Sequence, residues 1–192
     1  MAKVATQVLE RPSRTAEWAK QAAIVIGASL FVALCAQPSL RLPFNPVPLT
    51  LQNFAVLLVG LLLGWQRGFA ALLLYLVEGA SGLPVFSPGG AGGIAQLFGP
   101  TGGYLMAYPF VAAVSGWLYE RGSRSFIRAA VAAFAGEVLL FASGVGWLAL
   151  WFHSASQAVK YGLYWLICAE VIKILMAAGF AERWNKNLEA KT

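Results

Sequence analysis

The chain has 192 residues, of which 59% are hydrophobic and 11% are charged, with a formal net charge of +6 and a mean hydropathy of +0.67. Soluble domains carry about 25% charged residues, so this composition excludes a soluble domain and indicates an integral membrane protein. The length favours one domain, without a second globular unit.

The apolar segments predict an all-α protein with six transmembrane helices. A tail over residues 1–17 precedes a membrane domain over 18–184, and a second tail covers 185–192. Four prolines exclude a continuous helix over 38–48. The second and third helices, joined by Gln66 and Arg67, are shorter than the about 20 residues of a straight span, so they either form a short hairpin or stop inside the bilayer. The predicted helices cover residues 18–37, 49–65, 68–80, 106–120, 126–151 and 161–184.

The basic residues lie mostly on one side of these spans. With both termini cytoplasmic, eleven Lys and Arg residues lie inside, only Arg41 and Lys160 lie outside, and Lys173 falls within helix six. The positive-inside rule favours this arrangement over a five-span one, which would move the basic C-terminal residues outside. Topology therefore explains the net charge, and no nucleic-acid partner is expected.

Residues 79–104, here named the glycine-rich segment, separate two strongly apolar stretches. Its glycines and prolines disfavour a spanning helix, yet its apolar side chains are poorly suited to a loop in water. Irregular backbone at membrane depth persists only where protein buries it or where it lines a cavity. The segment therefore predicts a cap over a binding cavity, and the alternative is a long extracellular connector.

A few polar side chains within the spans are candidates for a ligand site, because charges there usually face a cavity or a partner. Glu170 and Lys173 are three residues apart, hence on one face of helix six. They form either a self-neutralising ion pair or a polar clasp for a small ligand. Glu137 on helix five is a second acceptor or a proton-sharing partner. Gln52, at the start of helix two, offers both a donor and an acceptor, unless it is an exposed end residue.

One enzyme signature requires a test. Residues 79–82 match the GxSG motif of rhomboid intramembrane proteases, with Ser81 as the nucleophile. That mechanism needs a histidine within hydrogen-bond reach of the serine, and His153 lies between helices five and six, outside the helix where rhomboids carry theirs. No HExxH or Walker motif occurs. An intramembrane serine hydrolase is therefore a remote alternative, and we expect no metal, no cofactor and no ATP hydrolysis by this chain.

Small residues recur every four positions on helix one, at Ala19, Ala23 and Gly27. Such a stripe permits close approach between helices in lipid. It packs either against a neighbouring helix of the same chain or against another membrane subunit.

Five motifs occur in one order along nearly the whole chain: PVPLTLQN (46–53), LLLGWQRG (61–68), GLPVF (82–86), GPTGGY (99–104) and the E-x-x-K of helix six. Together they closely resemble the BioY family, the biotin-binding membrane subunits (S components) of energy-coupling factor (ECF) vitamin importers. The resemblance implies the six-helix S-component fold in a prokaryotic cell (inner) membrane, with a Gly/Pro-rich extracellular loop capping a pocket near the outer face.

The same resemblance implies partners. They are biotin, a transmembrane coupling subunit and two cytoplasmic ATPase subunits, with helix one docking through Ala19, Ala23 and Gly27. ATP would be hydrolysed by the partners, although some family members act without the ATPase module. The chain itself would be a transporter subunit and not an enzyme.

The resemblance also assigns ligand-binding roles. Gln52, Tyr104 and Lys173 match residues that the family uses around its ligand, and Glu170 stands where members usually have an aspartate after Pro-Gly. The pair before Glu170 is Cys168-Ala169 here, so no proline breaks helix six.

Further candidates follow from the chemistry of biotin. Glu170 or Glu137 could accept from the ureido N–H groups, while Gln52 or Lys173 donates to the carbonyl. Phe86 and Tyr75 could contact the apolar ring and tail. Ala91, where one family pattern has asparagine, motivates the alternative of an S component for another small vitamin or precursor.

Overall fold

The computed structural model describes residues 14–43 and 45–190, so most of the predicted N-terminal tail lies outside the described residues. The predicted all-helical class is confirmed, apart from two short strands, β1 (Ser39–Leu40) and β2 (Leu49–Thr50), which pair antiparallel. A π-helix, Lys160–Tyr164, precedes the last helix. The α-helices are α1 (Arg14–Ala36), α2 (Gln52–Ala80), α3 (Gly93–Leu97), α4 (Gly102–Glu120), α5 (Phe126–Phe152), α6 (Ala155–Val159) and α7 (Ile167–Glu189).

Several of these helices are suited to a bilayer. Within the described residues, α1 and α5 are long and apolar enough to cross a membrane, and α6, the π-helix and α7 qualify together as one bent span. Helix α2 is also long and apolar, but a kink at Gly64 divides it into two shorter pieces. The chain is therefore a multi-span membrane protein. The exact count of six crossings stays a prediction.

Helix α2 folds back on itself at Gly64, whose φ of 80° is open to glycine but strained for other residues. Gln52 donates to the Tyr75 hydroxyl at 2.8 Å, and a Cβ added at Gly68 would lie 3.3 Å from the Cα of Gly60. Residues 23 or 8 positions apart along a straight helix would be about 35 Å or 12 Å apart. Residues 52–63 and 65–80 are therefore the two arms of a hairpin. The predicted connection at residues 66–67 was wrong by two positions, because one glycine suffices for the reversal.

The hairpin packs on α4 through glycines. A Cβ added at Gly116 of α4 would lie 2.7 Å from the Gly60 carbonyl oxygen and from the backbone of Gly64 and Trp65. A Cβ at Gly60 would lie 2.5 Å from the carbonyl oxygen of Ala112. Small residues at a helix interface in lipid allow such close backbone contact, so this crossing fixes the hairpin against α4.

The predicted sixth helix over 161–184 was wrong in one respect, because it is not continuous. The chain passes from the π-helix through a short turn into α7, with a bend of 44°. The carbonyl of Gly162 accepts a hydrogen bond of 2.7 Å from the Tyr104 hydroxyl on α4, so a tertiary contact satisfies a backbone group at this irregular turn. A break is thus present without the proline that the family pattern uses.

Polar side chains tie α1 to the rest of the structure. Ser29, fully buried on α1, donates to Glu78 Oε2 at 2.5 Å. Near the end of α1, the Gln37 amide donates to the Pro84 carbonyl in the glycine-rich segment at 3.2 Å. Helix α1 is therefore bonded both to the hairpin and to the segment that follows it.

The glycine contact yields a stability prediction. Gly116→Ala should lower the free energy of unfolding by about 1–3 kcal/mol, because its Cβ overlaps backbone atoms that cannot move aside independently. Gly146→Ala on α5 is the matched control, since nothing lies within 4 Å of its added Cβ, and it should be neutral or slightly stabilising. Thermal unfolding in detergent measures both, and equal transition temperatures for the two variants would contradict the proposed contact.

Candidate functional site

The candidate site lies where the first turns of three helices meet. Gln52 and Asn53 begin α2, Tyr104 lies in the first turn of α4, and Glu170 and Lys173 lie near the start of α7. All five side chains are buried. The hairpin brings α2 beside α4, and the bend before Ile167 ends the irregular stretch just before Glu170. The irregular backbone on either side leaves room for a cavity between these helix ends.

Asn53 is the central polar residue of the site. Its amide nitrogen donates to Glu170 Oε2 at 2.7 Å and also to Glu137 Oε1 on α5. One amide has two N–H groups, so each carboxylate receives one of them. A single side chain on α2 thereby links α5 and α7.

The two charged residues of α7 form the predicted i,i+3 pair. Lys173 Nζ lies 2.7 Å from Glu170 Oε1, and both side chains are more than nine-tenths buried. Of the two interpretations left open by the sequence, the structure contains the ion pair, and it also places both residues at a cavity. Because Lys173 has three N–H donors, one bond to Glu170 leaves donors for a ligand.

Gln52 is positioned by the second arm of the hairpin. Its amide nitrogen donates to the Tyr75 hydroxyl, and that hydroxyl donates to the Val85 carbonyl at 2.9 Å. The ring of Phe86 packs edge-on against Tyr75, with centroids 5.4 Å apart. This chain of contacts connects the floor of the site to the glycine-rich segment.

The polar residues line a narrow cavity of about 50 Å³. Its walls include the ring of Tyr104, whose hydroxyl donates to the Gly162 carbonyl, and the ring of Tyr108 one turn further along α4. Ser87 and Thr101 of the glycine-rich segment also line it. Buried apolar walls with a few polar groups are typical of small-ligand sites.

A larger chamber of about 380 Å³ adjoins this cavity and shares Pro48, Ser87 and Thr101 with it. It is lined mainly by the glycine-rich segment, including Ala91, and by Arg41. The Arg41 guanidinium donates to the Pro88 carbonyl at 2.5 Å. The volume lies within the usual range for small-molecule pockets. The two chambers are adjacent, and the cation Arg41 lines only the larger one.

The predicted residues divide into two groups. Gln52, Tyr104, Glu170 and Lys173 line the narrow cavity. In the described part of the chain, neither chamber is lined by Glu137, Tyr75 or Phe86. Glu137 and Tyr75 are hydrogen-bonded to residues that line the narrow cavity, and Phe86 packs against Tyr75.

Sequence reasoning missed Asn53 and Arg41 as site residues. Asn53 is an amide beside Gln52 at the head of an apolar helix, and that pairing was the signal available for it. Arg41 was counted only as an outside charge, because nothing in the sequence around it indicates that Pro88 and Gly89 approach it.

The serine-hydrolase alternative gains no support from the geometry. The Ser81 hydroxyl donates to the Glu78 carbonyl at 2.7 Å. Its proton is therefore already bonded to the backbone at the end of α2. His153 ends α5 in a left-handed conformation. The described hydrogen bonds include none between these two residues.

The fold matches that of a solved transport protein. The crystal structure of the S-component for biotin from an ECF-type ABC transporter superposes with a TM-score of 0.80 and 25% sequence identity, over 88% of this chain and 93% of that one. The arrangement of the helices is therefore that of an ECF S component, the membrane-embedded class that the motifs predicted.

Sequence comparison narrows the class to a family. The BioY family model matches residues 5–190. A probable biotin transporter BioY of Pyrococcus horikoshii is 37% identical over 88% of this chain and 98% of its own length. The biotin transporter BioY of Thermotoga maritima is also 37% identical, over 84% of this chain and 95% of its own length. This chain belongs to the BioY family, which confirms the predicted family and its class as a transporter subunit and not an enzyme.

The Asn53 network yields a coupling prediction. Asn53→Ala should lower the free energy of unfolding by about 1–3 kcal/mol, because two buried carboxylates lose their shared donor. In a Glu137→Leu background the same change should cost less, since only Glu170 then loses a partner. Thermal unfolding of the two single variants and the double variant gives the interaction energy, which should be about 0.5–3 kcal/mol for residues in contact. Additive effects would contradict the network.

Proposed function

We propose that this chain is the biotin-binding and uptake subunit of an ECF vitamin importer. The observation that carries the proposal is the buried clasp of Lys173, Glu170 and Asn53 at a cavity. The relatives named as biotin transporters and the biotin S-component of the same fold support biotin as the ligand.

The donors and acceptors of the clasp complement a ureido ring, which has two N–H donors and one carbonyl acceptor. The Oδ1 atom of Asn53 is buried and has no hydrogen-bond partner among the described residues, so it can accept from a ureido N–H. Lys173 retains N–H donors for the ureido carbonyl. Glu170 already accepts at both oxygens, although each oxygen has a further lone pair for the second N–H.

The two chambers set a direction for the ligand. With the ureido ring in the narrow cavity, the tail of biotin extends into the larger chamber and its carboxylate approaches Arg41. A guanidinium is well suited to a carboxylate, because its planar fork can donate two parallel hydrogen bonds. We infer that the polar clasp recognises the ring and that Arg41 recognises the tail.

Two ligands separate these roles. Lys173→Met should weaken both biotin and biotinamide about 10-fold or more, since a charged hydrogen bond contributes about 1.5–3 kcal/mol. Arg41→Gln should weaken biotin but leave biotinamide, which has no carboxylate, nearly unchanged. Equilibrium binding to the detergent-purified chain measures all four combinations.

Lys160→Met is the matched control, because Lys160 is an exposed lysine that lines neither chamber. Unchanged biotin affinity in Lys173→Ala and Glu170→Ala alike would contradict the site. Failure of folded protein to bind biotin, together with competition-sensitive binding of another small vitamin, would favour the alternative ligand that Glu170 and Ala91 motivate.

We further propose a multi-pass orientation in a prokaryotic inner membrane, with residues 1–17 and 185–192 as cytoplasmic tails around the membrane domain 18–184. The basic residues support it: Arg67 and Arg124 line one pocket beside the hairpin turn, while Arg41 lies at the opposite end with the cavity. The glycine-rich segment would then cap the pocket from outside.

The proposed partners are a transmembrane coupling subunit and two cytoplasmic ATPase subunits, with docking through α1. Ala19, Ala23 and Gly27 are all exposed, and nothing lies within 4 Å of a Cβ added at Gly27. The stripe is therefore not used for packing inside the described chain, which favours the second of its two interpretations.

The docking face can be tested separately from ligand binding. Ala23→Leu should reduce co-purification of a co-expressed coupling subunit, because the larger side chain prevents close helix approach, while biotin binding by the isolated chain stays unchanged. Ala142→Leu, at an exposed position of α5, is the control and should co-purify normally. Equal recovery with both variants would exclude this face of α1 as the contact.

A further inference from the structure

The cluster behind the cavity contains two carboxylates and only one cation. Glu137, Glu170, Lys173 and Asn53 are 3%, 6%, 7% and 5% exposed. Both carboxylates accept from the same Asn53 nitrogen, so their bound oxygens lie within about 6 Å of each other. With both glutamates ionised, the cluster would carry one uncompensated negative charge within the membrane, where such a charge is costly.

The two carboxylates do not receive the same number of hydrogen bonds from the protein. Glu170 receives hydrogen bonds at both oxygens, from Lys173 and from Asn53. Glu137 receives one, at Oε1, and its Oε2 is buried without a partner among the described residues. Donors stabilise the ionised form of a carboxylate, and burial without donors destabilises it. Glu137 is therefore the carboxyl group with fewer hydrogen-bond donors to stabilise a negative charge.

Within residues 14–43 and 45–190, no cation other than Lys173 is found near Glu137 to offset the excess. From α7 it faces Glu170 and Lys173, and Lys173 is already paired. Among the described residues, the ionisable groups around this cluster on the other helices are tyrosines: Tyr75 on α2, and Tyr104 and Tyr108 on α4. The hydroxyls of Tyr75 and Tyr104 donate to backbone carbonyls, so neither donates to Glu137.

We propose that Glu137 and its surroundings form a buried proton-binding site. Glu137 carries the proton, Glu170 stays ionised against Lys173, and the cluster as a whole is neutral. The neutral carboxyl group still accepts from Asn53 through Oε1, so the proton satisfies the charge balance without removing the bond that orients the amide toward the cavity.

The proton also has a consequence for the ligand, and this part rests on the proposed function. A ligand in the cavity excludes water from the cluster, which further disfavours an ionised Glu137. The protonated protein therefore binds more tightly. Affinity should be constant between the pH at which the carboxylate of biotin is fully ionised and the pH at which the free protein begins to lose the proton. Above that range it should fall by up to about tenfold per pH unit.

Infrared spectroscopy tests the proton without any ligand. The purified wild-type chain should show the carbonyl stretch of a protonated carboxylic acid at neutral pH, and the band should disappear on alkaline titration. Glu137→Gln should lack the band. Glu78→Gln, the control at a carboxylate near the end of α2 that accepts from Ser29 of α1, should retain it. A wild-type spectrum without the band, or a band that Glu78→Gln removes and Glu137→Gln does not, would overturn the proposal.

Biotin binding as a function of pH then tests the coupling. Wild type and Glu78→Gln should show the fall in affinity with rising pH. Glu137→Gln, whatever its absolute affinity, should show no fall over the pH range in which the infrared band of wild type disappears, because it lacks the proton that wild type loses there. A pH profile in Glu137→Gln equal to that of wild type would refute the coupling. If no variant binds biotin, the proposed function fails, while the infrared result still decides the proton site.

Discussion

The site depends on one amide, that of Asn53, which binds carboxylates from two different helices. A hydrogen bond contributes about 0.5–1.5 kcal/mol, and one to a charged group about 1.5–3 kcal/mol, and the hydrocarbon core contains no water to replace them. Because Asn53 holds Glu170 from one side and Lys173 holds it from the other, the carboxylate has one position relative to the cavity. Without the amide, α5 and α7 would present two carboxylates to each other with no shared donor between them.

The amide is in place because the hairpin is packed on α4 without intervening side chains. Glycines at the crossing allow backbone contact, and this contact sets the first turn of α2 beside Tyr104. The first arm, residues 52–63, is about 18 Å long, shorter than the about 30 Å hydrocarbon core of a bilayer. Its two ends cannot both reach a membrane surface. If the turn at Gly64 lies near one surface, the polar cluster lies inside the bilayer, which explains why its charges must balance internally.

The sequence was informative wherever a residue's role depends on its own helix. Apolar runs located the long helices, and the i,i+3 spacing of Glu170 and Lys173 predicted their pairing. Contacts between helices could not be predicted from the sequence. The orientation of Asn53 toward Glu137 and the π turn at Gly162 depend on partners that are distant in the chain. The reversal at Gly64 was missed by two residues, because polar Gln66 and Arg67 resemble a loop more than a glycine within an apolar run does. Family resemblance supplied the ligand, which no local pattern contained.

The hydrogen bonds of α1 have a mechanical consequence. One end of this helix is bonded through Gln37 to the Pro84 carbonyl, and its middle is bonded through Ser29 to Glu78, one turn beyond Tyr75. Tyr75 in turn supports both Gln52 and the Val85 carbonyl. A tilt of α1 would therefore act on Pro84 of the glycine-rich segment and on the hairpin arm that carries Tyr75 at the same time. A displacement of this one helix would reach Gln52 at the narrow cavity through Glu78 and Tyr75, along hydrogen bonds that the structure already contains.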